Sequence, residues 1–188
     1  KSNLLFYAIK NDNFLLCSLL INHGAFLNYT KNNPLSVAIM RGADINIVKL
    51  LLTSGAELAV NNYQAVKEAV RSKSYGLCEL FTYDHGASVA GLNEAILEGN
   101  IALMKLFINK GANLEDIDET CFTLKHKDKV NECIYFLLSK GMKLTSSKVP
   151  FKWILLYLKM DLNTLPVNFI STQKCSDQFK VFTLKHMM

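Results

Sequence analysis

Apolar residues recur at helical spacing along much of the chain, and one segment displays the pattern well. In "DINIVKLLLTSGA", which ends at Ala56, a single wide apolar face is formed by Ile47, Val48, Leu50, Leu51 and Leu52. This spacing predicts an α-helix. The face is too broad for a lone pair of helices, so we expect it to be buried against neighbouring elements.

The same helix and the same stop signal recur along the chain. Comparable apolar segments are followed by a glycine at positions 24, 55, 86, 111 and 141, with intervals of 31, 31, 25 and 30 residues. Glycine readily adopts the left-handed conformation that ends a helix. We therefore predict that these five glycines close five helices. A period in this range indicates a solenoid of repeated units.

A shorter apolar helix is predicted before each longer one, in "NLLFYAIK", "NPLSVAIM", "QAVKEAVR", "GLNEAILE" and "TCFTLKHK". Four of these carry a small residue that lets two helices approach closely: Ala8, Ala38, Ala69 and Ala95. Residues that can cap backbone N–H groups precede three of them: Asn3, Asn33 and Thr120. Pro34 occupies a first helical position, where its missing N–H costs nothing. We expect five helix pairs over residues 3–144, with almost no β-structure.

The apolar face of each second helix has no shelter other than the next pair. We therefore expect buried side chains at Leu50, Leu51, Leu106, Phe107, Leu137 and Leu138. Cys17, Cys78 and Cys133 fall in the same stripes, where thiols act as small hydrophobic groups. The cysteine count of five is odd and no C-x-x-C pair occurs, which argues against a disulfide framework or a zinc site. These observations favour a reduced intracellular protein without a metal or another cofactor.

Two segments resemble the ankyrin repeat. "NPLSVAI" is similar to that family's Thr-Pro-Leu-His-x-Ala-Ala, with Asn33 in the threonine position. "GNIALMKLFINKGA" is similar to its Gly-His-x-x-x-Val-x-x-Leu-Leu-x-x-Gly-Ala, and the matching residues are Gly99, Leu106, Gly111 and Ala112. The resemblance implies an all-α ankyrin-repeat solenoid of stacked helix pairs, with five degenerate repeats in residues 1–144.

The repeat units are shorter than the family period of 33 residues. The missing residues fall between each second helix and the next first helix, where ankyrin repeats have a projecting β-hairpin finger. Between Ala87 and Leu92 only the residues from Ser88 to Gly91 remain. The resemblance therefore implies shortened hairpin fingers, and we expect recognition to shift to the ends of the first helices.

In ankyrin arrays these helix ends contribute to a concave binding surface. The corresponding positions here are Lys10, Asn11, Met40, Arg41, Arg71, Ser72, Leu97, Glu98, Lys127 and Asp128. We predict that they contact a protein partner. The chain has two arginines, both in this set, and arginine is enriched at the energetic centres of interfaces. The alternative is that exposed helix ends are simply polar.

No catalytic constellation is found in the sequence. His23 and His85 stand immediately before a predicted closing glycine, where a histidine can interact with the last helical carbonyls. The acidic run Glu115, Asp116, Asp118 and Glu119 lacks the central glycine of a calcium loop. No glycine cluster suited to a phosphate is present. We predict a protein that is not an enzyme and has no small-molecule substrate.

The formal net charge of +5 is unevenly distributed. Residues 1–119 carry ten basic and twelve acidic side chains, whereas residues 120–188 carry eleven lysines and four acids. Because these lysines are dispersed among apolar residues, they favour solvated helix faces over nucleic-acid binding. The apolar stretch "WILLYL" is far shorter than the ~20 residues of a membrane span, and no signal peptide is evident. We expect no membrane association and a cytoplasmic location, with the nucleus left open, in a fragment that begins at Lys1.

The C-terminal segment, residues 145–188, has two interpretations. Its apolar side chains, including Trp153, Leu155 and Leu158, are suited to cap the fifth helix pair. The order Pro150, Trp153, Asp161 also resembles the F-box, which accompanies ankyrin arrays in poxvirus proteins and in some intracellular bacterial effectors. We prefer a C-terminal helical cap and keep the F-box as the alternative.

The resemblance implies a non-catalytic module for protein–protein interaction. It points to a pathogen protein that binds a host signalling or ubiquitin-pathway protein. The alternative is a substrate adaptor of a ubiquitin ligase, acting through the F-box-like segment.

Overall fold

The computed structural model describes residues 2–122 and 129–142, and all regular structure in these two ranges is helical. The α-helices are α1 Ser2–Lys10, α2 Phe14–Asn22, α3 Pro34–Arg41, α4 Ile45–Thr53, α5 Val60–Arg71, α6 Tyr75–Phe81, α7 His85–Leu97, α8 Ile101–Asn109 and α9 Val130–Ser139. Two 3-10 turns span Leu114–Asp116 and Glu119–Phe122. No strand occurs in the two ranges, which confirms the all-α prediction. The predicted cap, including Trp153, lies outside the described residues.

Two compact units make up the chain. One contains residues 1–95 and 102–112, and the other contains residues 96–101 and 113–188. In the first unit α1 packs against α2, α3 against α4, and α5 against α6. Helix α1 also contacts α3, α3 contacts α5, and α2 contacts α4. The first three helix pairs therefore stack in sequence order, as the repeated pattern predicts.

Burial of the side chains confirms four of the six predicted core residues. Leu51, Phe107, Leu137 and Leu138 are buried. Leu50 and Leu106 are half-buried, so the prediction of full burial was wrong for these two. The cause is helix rotation: α8 turns Leu103, Met104 and Phe107 inward, and α4 turns Ile47, Val48 and Leu51 inward. Each half-buried leucine precedes an inward residue and lies at the edge of the apolar face.

Helix ends show which of the predicted caps form. The side-chain oxygen of Asn33 accepts hydrogen bonds from the backbone N–H groups of Leu35 at 2.8 Å and Ser36 at 3.2 Å. Pro34 follows as the first helical residue. These contacts satisfy donors that have no partner within the helix. The Asn33 cap is therefore confirmed.

Two other predicted caps were wrong. Asn3 lies inside α1, which begins at Ser2. Thr120 lies inside a 3-10 turn, where its own backbone N–H donates to the Asp118 carboxylate at 2.9 Å. Two other helices are capped by an asparagine or aspartate that directly precedes the helix. Asn13 accepts from the Leu16 N–H, and Asp44 accepts from the Asn46 N–H.

Gly86 does not close a helix, so the predicted end of the third unit was wrong. Gly24, Gly55, Gly111 and Gly141 have the expected positive φ angles of 78°, 97°, 98° and 93°. In contrast, α6 ends at Phe81 and Gly86 is the second residue of α7. The Asp84 carboxylate accepts from the Ala87 N–H at 2.9 Å and starts this helix. The predicted first helix from Gly91 therefore begins earlier, at His85.

The two histidines consequently occupy opposite helix ends. At the end of α2, the His23 ring nitrogen Nδ1 lies 2.8 Å from the Leu19 carbonyl oxygen, as the predicted role requires. His85 is the first residue of α7, so its predicted position at a helix C-terminus was wrong.

Helix α5 starts with an unusual backbone turn. Asn61, Asn62 and Tyr63 have φ angles of 54°, 55° and 56°, so the right-handed helix runs only from Gln64 to Arg71. Asparagine tolerates the left-handed region, whereas a bulky residue such as Tyr63 rarely adopts it. The Tyr63 ring packs so close to Gly86 that a Cβ at Gly86 would overlap it. This contact explains why a glycine is needed inside α7.

Single side chains tie the connecting loops of successive pairs together. The Asn28 amide donates to the Gly55 carbonyl oxygen at 3.0 Å, and its oxygen accepts from the Glu57 N–H at 2.9 Å. The Asp12 carboxylate accepts from the Asp44 N–H at 2.8 Å. The Asn28 pair of bonds substitutes for backbone pairing between loops that contain no strand.

Candidate partner-binding cleft

A cleft of about 520 Å³ is lined by residues of α1 and α3. Its lining comes from α1, from α3 and from the loop before α3: Phe6, Tyr7, Lys10, Asn32, Val37, Met40 and Arg41. Three of these, Lys10, Met40 and Arg41, belong to the set predicted from the sequence. The cleft is the place where the structure brings predicted residues together.

Helical periodicity explains why these side chains face outward. On α3, Leu35, Ala38 and Ile39 are buried, whereas Val37 and Met40 lie on the opposite side of the helix and line the cleft. The same alternation on α1 buries Leu5, Ala8 and Ile9. Tyr7 and Met40 are left 61% and 58% exposed, which is a large apolar area for two side chains. Exposed apolar groups of this size, gathered in one cleft, are typical of an interaction site.

An aromatic cluster supports one end of the cleft. The rings of Phe26 and Tyr29 meet edge to face with centroids 4.8 Å apart. The Tyr29 ring also lies 6.3 Å from the ring of Phe6, which lines the cleft. Aromatic pairs at these distances attract each other beyond their area burial. The loop after α2 is thereby held against α1.

Positive charge dominates the cleft. Lys10 and Arg41 both line it, and neither has an ion pair in the part of the chain that the structure describes. The acidic residues of the adjacent turns are committed elsewhere. Asp12 accepts from the Asp44 N–H, and Asp44 accepts from the Asn46 N–H. The two cations are therefore available to an external acidic group.

Arg71 is engaged within the chain. Its Nε lies 2.8 Å from Glu94 Oε1, and a terminal guanidinium nitrogen lies 3.2 Å from Glu68 Oε1. The Glu94 side chain is only 5% exposed, whereas that of Arg71 is 38% exposed. A buried carboxylate requires a paired cation. Arg71 thus supplies the charge that Glu94 needs.

The cleft lining does not include the other predicted residues that the structure describes. The Asn11 amide donates to the Tyr7 carbonyl oxygen at 2.8 Å, and Ser72 Oγ donates to the Ala69 carbonyl oxygen at 3.1 Å. Leu97 and Glu98 are half-buried and belong to the second unit. Lys127 and Asp128 lie outside the described residues.

Sequence reasoning missed the aromatic part of the cleft. Tyr7 stands three positions before Lys10, and "GAFLNYT" carries Phe26 and Tyr29 immediately after the first closing glycine. Residues three apart share one face of a helix, so Tyr7 could have been found from spacing. The contact of Tyr29 with Phe6 of α1 depends on how the loop folds back, which spacing does not encode.

The described residues offer little for metal binding or thiol chemistry. Among them, no group of three or more His, Cys, Asp or Glu could hold a metal ion. Burial raises the pKa of the Cys78 thiol to about 12 and that of Cys133 to about 11. Burial also raises the pKa values of Cys17 and Cys121. These thiols stay protonated at neutral pH and are poor nucleophiles.

Comparison with known proteins identifies the repeated helix pairs. A family model described as ankyrin repeats (3 copies) matches residues 1–62. The chain is also similar to a protein of Acanthamoeba polyphaga mimivirus that is named as an ankyrin repeat protein, R598. The two are 30% identical over 139 residues, which is 70% of this chain and 41% of the viral protein. No solved structure matches the chain. Within the described residues, no helix is long and apolar enough to cross a membrane.

Proposed function

We propose that this chain, an ankyrin-repeat protein that resembles viral ones, acts as a non-catalytic module and binds a protein partner. The observation that carries this proposal is the cleft of α1 and α3, where exposed apolar groups and two cations lie together. Protein interfaces are enriched in aromatic residues, methionine and arginine. The composition of the cleft therefore suits a protein partner.

The proposed contact residues centre on Lys10, Met40 and Arg41, with Asn11 beside them. Arg71 and Ser72, at the end of α5, also belong to the proposed contacts, although Arg71 already pairs with Glu94. The four predicted residues beyond them remain part of the proposal: Leu97, Glu98, Lys127 and Asp128.

We further propose that the protein belongs to a pathogen and binds a host signalling or ubiquitin-pathway protein in the host cytoplasm. Support comes from its similarity to a viral ankyrin repeat protein. The chain spans 41% of the length of that relative. Because the match covers less than half of the relative, the partners of the whole protein are also proposed.

A comparison of two baits tests the proposed function. The full chain and its Met40→Glu variant are each used to purify proteins from host-cell lysate, and captured proteins are then titrated in purified form. Met40 is 58% exposed, so its replacement should leave the melting temperature within about 2 °C of wild type. We expect at least one purified protein to bind wild type and to lose affinity for the variant. Equal binding of every captured protein to both baits would refute this use of the cleft.

The alternative function is that of a substrate adaptor of a ubiquitin ligase. Its support is the F-box-like order of Pro150, Trp153 and Asp161 in residues 145–188. Deletion of residues 145–188 separates the two functions. Loss of binding to a purified ubiquitin-ligase adaptor, with the melting temperature unchanged, would favour the F-box. A lower melting temperature or aggregation would favour a cap.

A further inference from the structure

We infer that the cleft of α1 and α3 takes a short acidic segment of the partner, with an aliphatic or aromatic anchor against Tyr7 and Met40 and carboxylates paired with Lys10 and Arg41. This inference rests on the proposed function and adds the chemistry of the partner to it.

The size of the cleft favours a short segment. Its volume of about 520 Å³ falls within the range of roughly 300–1,000 Å³ that is usual for small-molecule sites. A space of this size admits one or two large side chains together with their backbone. A folded domain would instead contact the exposed rim, so the cleft itself is suited to an anchor residue in an extended or irregular segment.

The apolar walls are suited to an aliphatic or aromatic anchor. Tyr7 presents a rigid ring, and Met40 presents a flexible thioether that adapts to different shapes. Both remain more than half exposed in the free protein. Covering them would remove apolar surface from water, at about 25 cal/mol for each Å². Asn32, which also lines the cleft, can offer an amide donor and acceptor to the backbone of the segment.

The charges of the cleft determine which sign of charge the partner segment should carry. Residues 1–119 carry a small excess of acidic side chains, ten basic against twelve acidic. The cleft nevertheless has two cations and no acid in its lining. Its positive charge is thus a local feature against a weakly acidic background. An arginine guanidinium can pair with a carboxylate through two parallel hydrogen bonds, which adds geometric selectivity.

Three peptide probes of matched length test separately whether the cleft requires acidic charge and whether it requires an apolar anchor. The first probe is Ac-Glu-Asp-Phe-Leu-Glu-Asp-NH2. The second replaces its acids with lysine, and the third replaces Phe-Leu with Gly-Gly. Each is titrated into the full chain while the methyl signals of ¹³C-labelled methionine are followed by NMR. We expect only the first probe to bind and to shift Met40, with affinity falling as salt rises from about 0.05 M to 0.5 M.

Charge reversal provides the decisive control. Lys10→Glu combined with Arg41→Glu should weaken binding of the acidic probe by about tenfold or more and favour the lysine probe. Lys49→Glu is the matched control, because Lys49 is exposed on α4 and does not line the cleft. That variant should bind the acidic probe as wild type does. The melting temperatures of all variants verify that each is folded.

The outcomes separate this inference from the proposed function. Absence of binding by the acidic probe, or equal binding of the lysine probe, would overturn the inference about partner chemistry. Binding of single-stranded oligothymidylate that displaces the acidic probe would overturn it in favour of a nucleic acid. The proposed function would still stand if the Met40→Glu bait lost a purified partner. Its use of the cleft is refuted only if that comparison shows no difference.

Discussion

The second repeat consists of α3 and α4, and the third of α5 and α6. The first helix of each ends at an arginine, but the two arginine side chains have different roles. Arg41, the last residue of α3, lines the cleft and has no ion pair among the described residues. Arg71, the last residue of α5, pairs with the buried Glu94 at 2.8 Å. A repeated position therefore identifies which residues can reach the surface. The neighbouring repeat decides whether a charge there is free for a partner.

The starts of the same two helices differ as well. Asn33 and Pro34 begin α3 with a side-chain cap, whereas α5 begins with the left-handed turn that ends at Tyr63. The Tyr63 ring then occupies the space next to Gly86. The third repeat departs from the pattern because the turn at the start of α5 places the Tyr63 ring against Gly86. Its core positions nevertheless remain buried.

The largest expected effects test whether the irregular third repeat is packed as well as the second. Leu51 of α4 and Phe81 of α6 are both completely buried. We expect Leu51→Ala to lower the free energy of unfolding by about 2–5 kcal/mol and Phe81→Ala by about 3–5 kcal/mol. Half-buried Leu50 is the control, and Leu50→Ala should cost clearly less than Leu51→Ala. Urea denaturation measures all three, and a negligible loss for Phe81→Ala would mean that the third repeat is loosely packed.

The next prediction concerns the two arginines. Arg71→Glu leaves the buried Glu94 without its cation and places a third carboxylate beside Glu68. Breaking a buried pair costs about 3–5 kcal/mol, and the 38% exposure of Arg71 reduces this to about 2–3 kcal/mol. Arg41→Glu should change stability by less than about 0.5 kcal/mol.

A double-mutant cycle verifies the mechanism behind the Arg71 effect. Glu94→Gln removes the buried charge, so Arg71→Glu should cost much less in that background than in wild type. Thermal and urea unfolding provide the four stabilities. An equal cost in both backgrounds would show that Arg71 does not act through Glu94.

The third prediction separates two glycines that sequence spacing treats alike. Gly55 has a φ of 97° and open space around it, whereas Gly86 is helical and faces the Tyr63 ring. Gly55→Ala should cost about 1–2 kcal/mol from backbone strain, and Gly86→Ala about 1–3 kcal/mol from overpacking. Asparagine tolerates the left-handed region, so Gly55→Asn should cost less than Gly55→Ala. Gly86→Asn should cost more than Gly86→Ala, and the reverse order at Gly86 would mean that Tyr63 moves aside easily.

Local spacing was sufficient for the helix pairs and for most of the inward positions. The Asn33 cap, the closing glycines at 24, 55, 111 and 141, and the buried Leu51 all depend on residues within one or two helical turns. Gly86 was misassigned because a glycine followed by alanine can end one helix or lie at the start of the next. Two features distinguish Gly86: the Asp84 carboxylate, which accepts from the Ala87 N–H and starts α7, and the Tyr63 ring, which is distant in sequence.

The candidate site was only half predictable for the same reason. Lys10, Met40 and Arg41 follow from helix ends, which are local features. The pairing of Arg71 with Glu94 joins residues of different helices, and no local pattern indicates it. The partial exposure of Leu50 and Leu106 depends on how each helix is rotated against its neighbours. Long-range contacts therefore account for the errors in both the core and the site.

The smallest expected effect concerns the second helices of the two repeats. Asp44 directly precedes α4 and its carboxylate accepts from the Asn46 N–H at 2.7 Å, whereas Ser74 directly precedes α6 without a side-chain cap hydrogen bond. Asp44→Ala should lower the free energy of unfolding by about 1 kcal/mol, because one helical N–H loses its partner. The bond from the Asp44 backbone N–H to Asp12 is retained in this variant, so the measurement isolates the cap. Ser74→Ala should change stability by less than about 0.5 kcal/mol. If urea denaturation showed equal losses for both, Ser74 would cap α6 in solution, and the third repeat would be more regular at this point than the structure indicates.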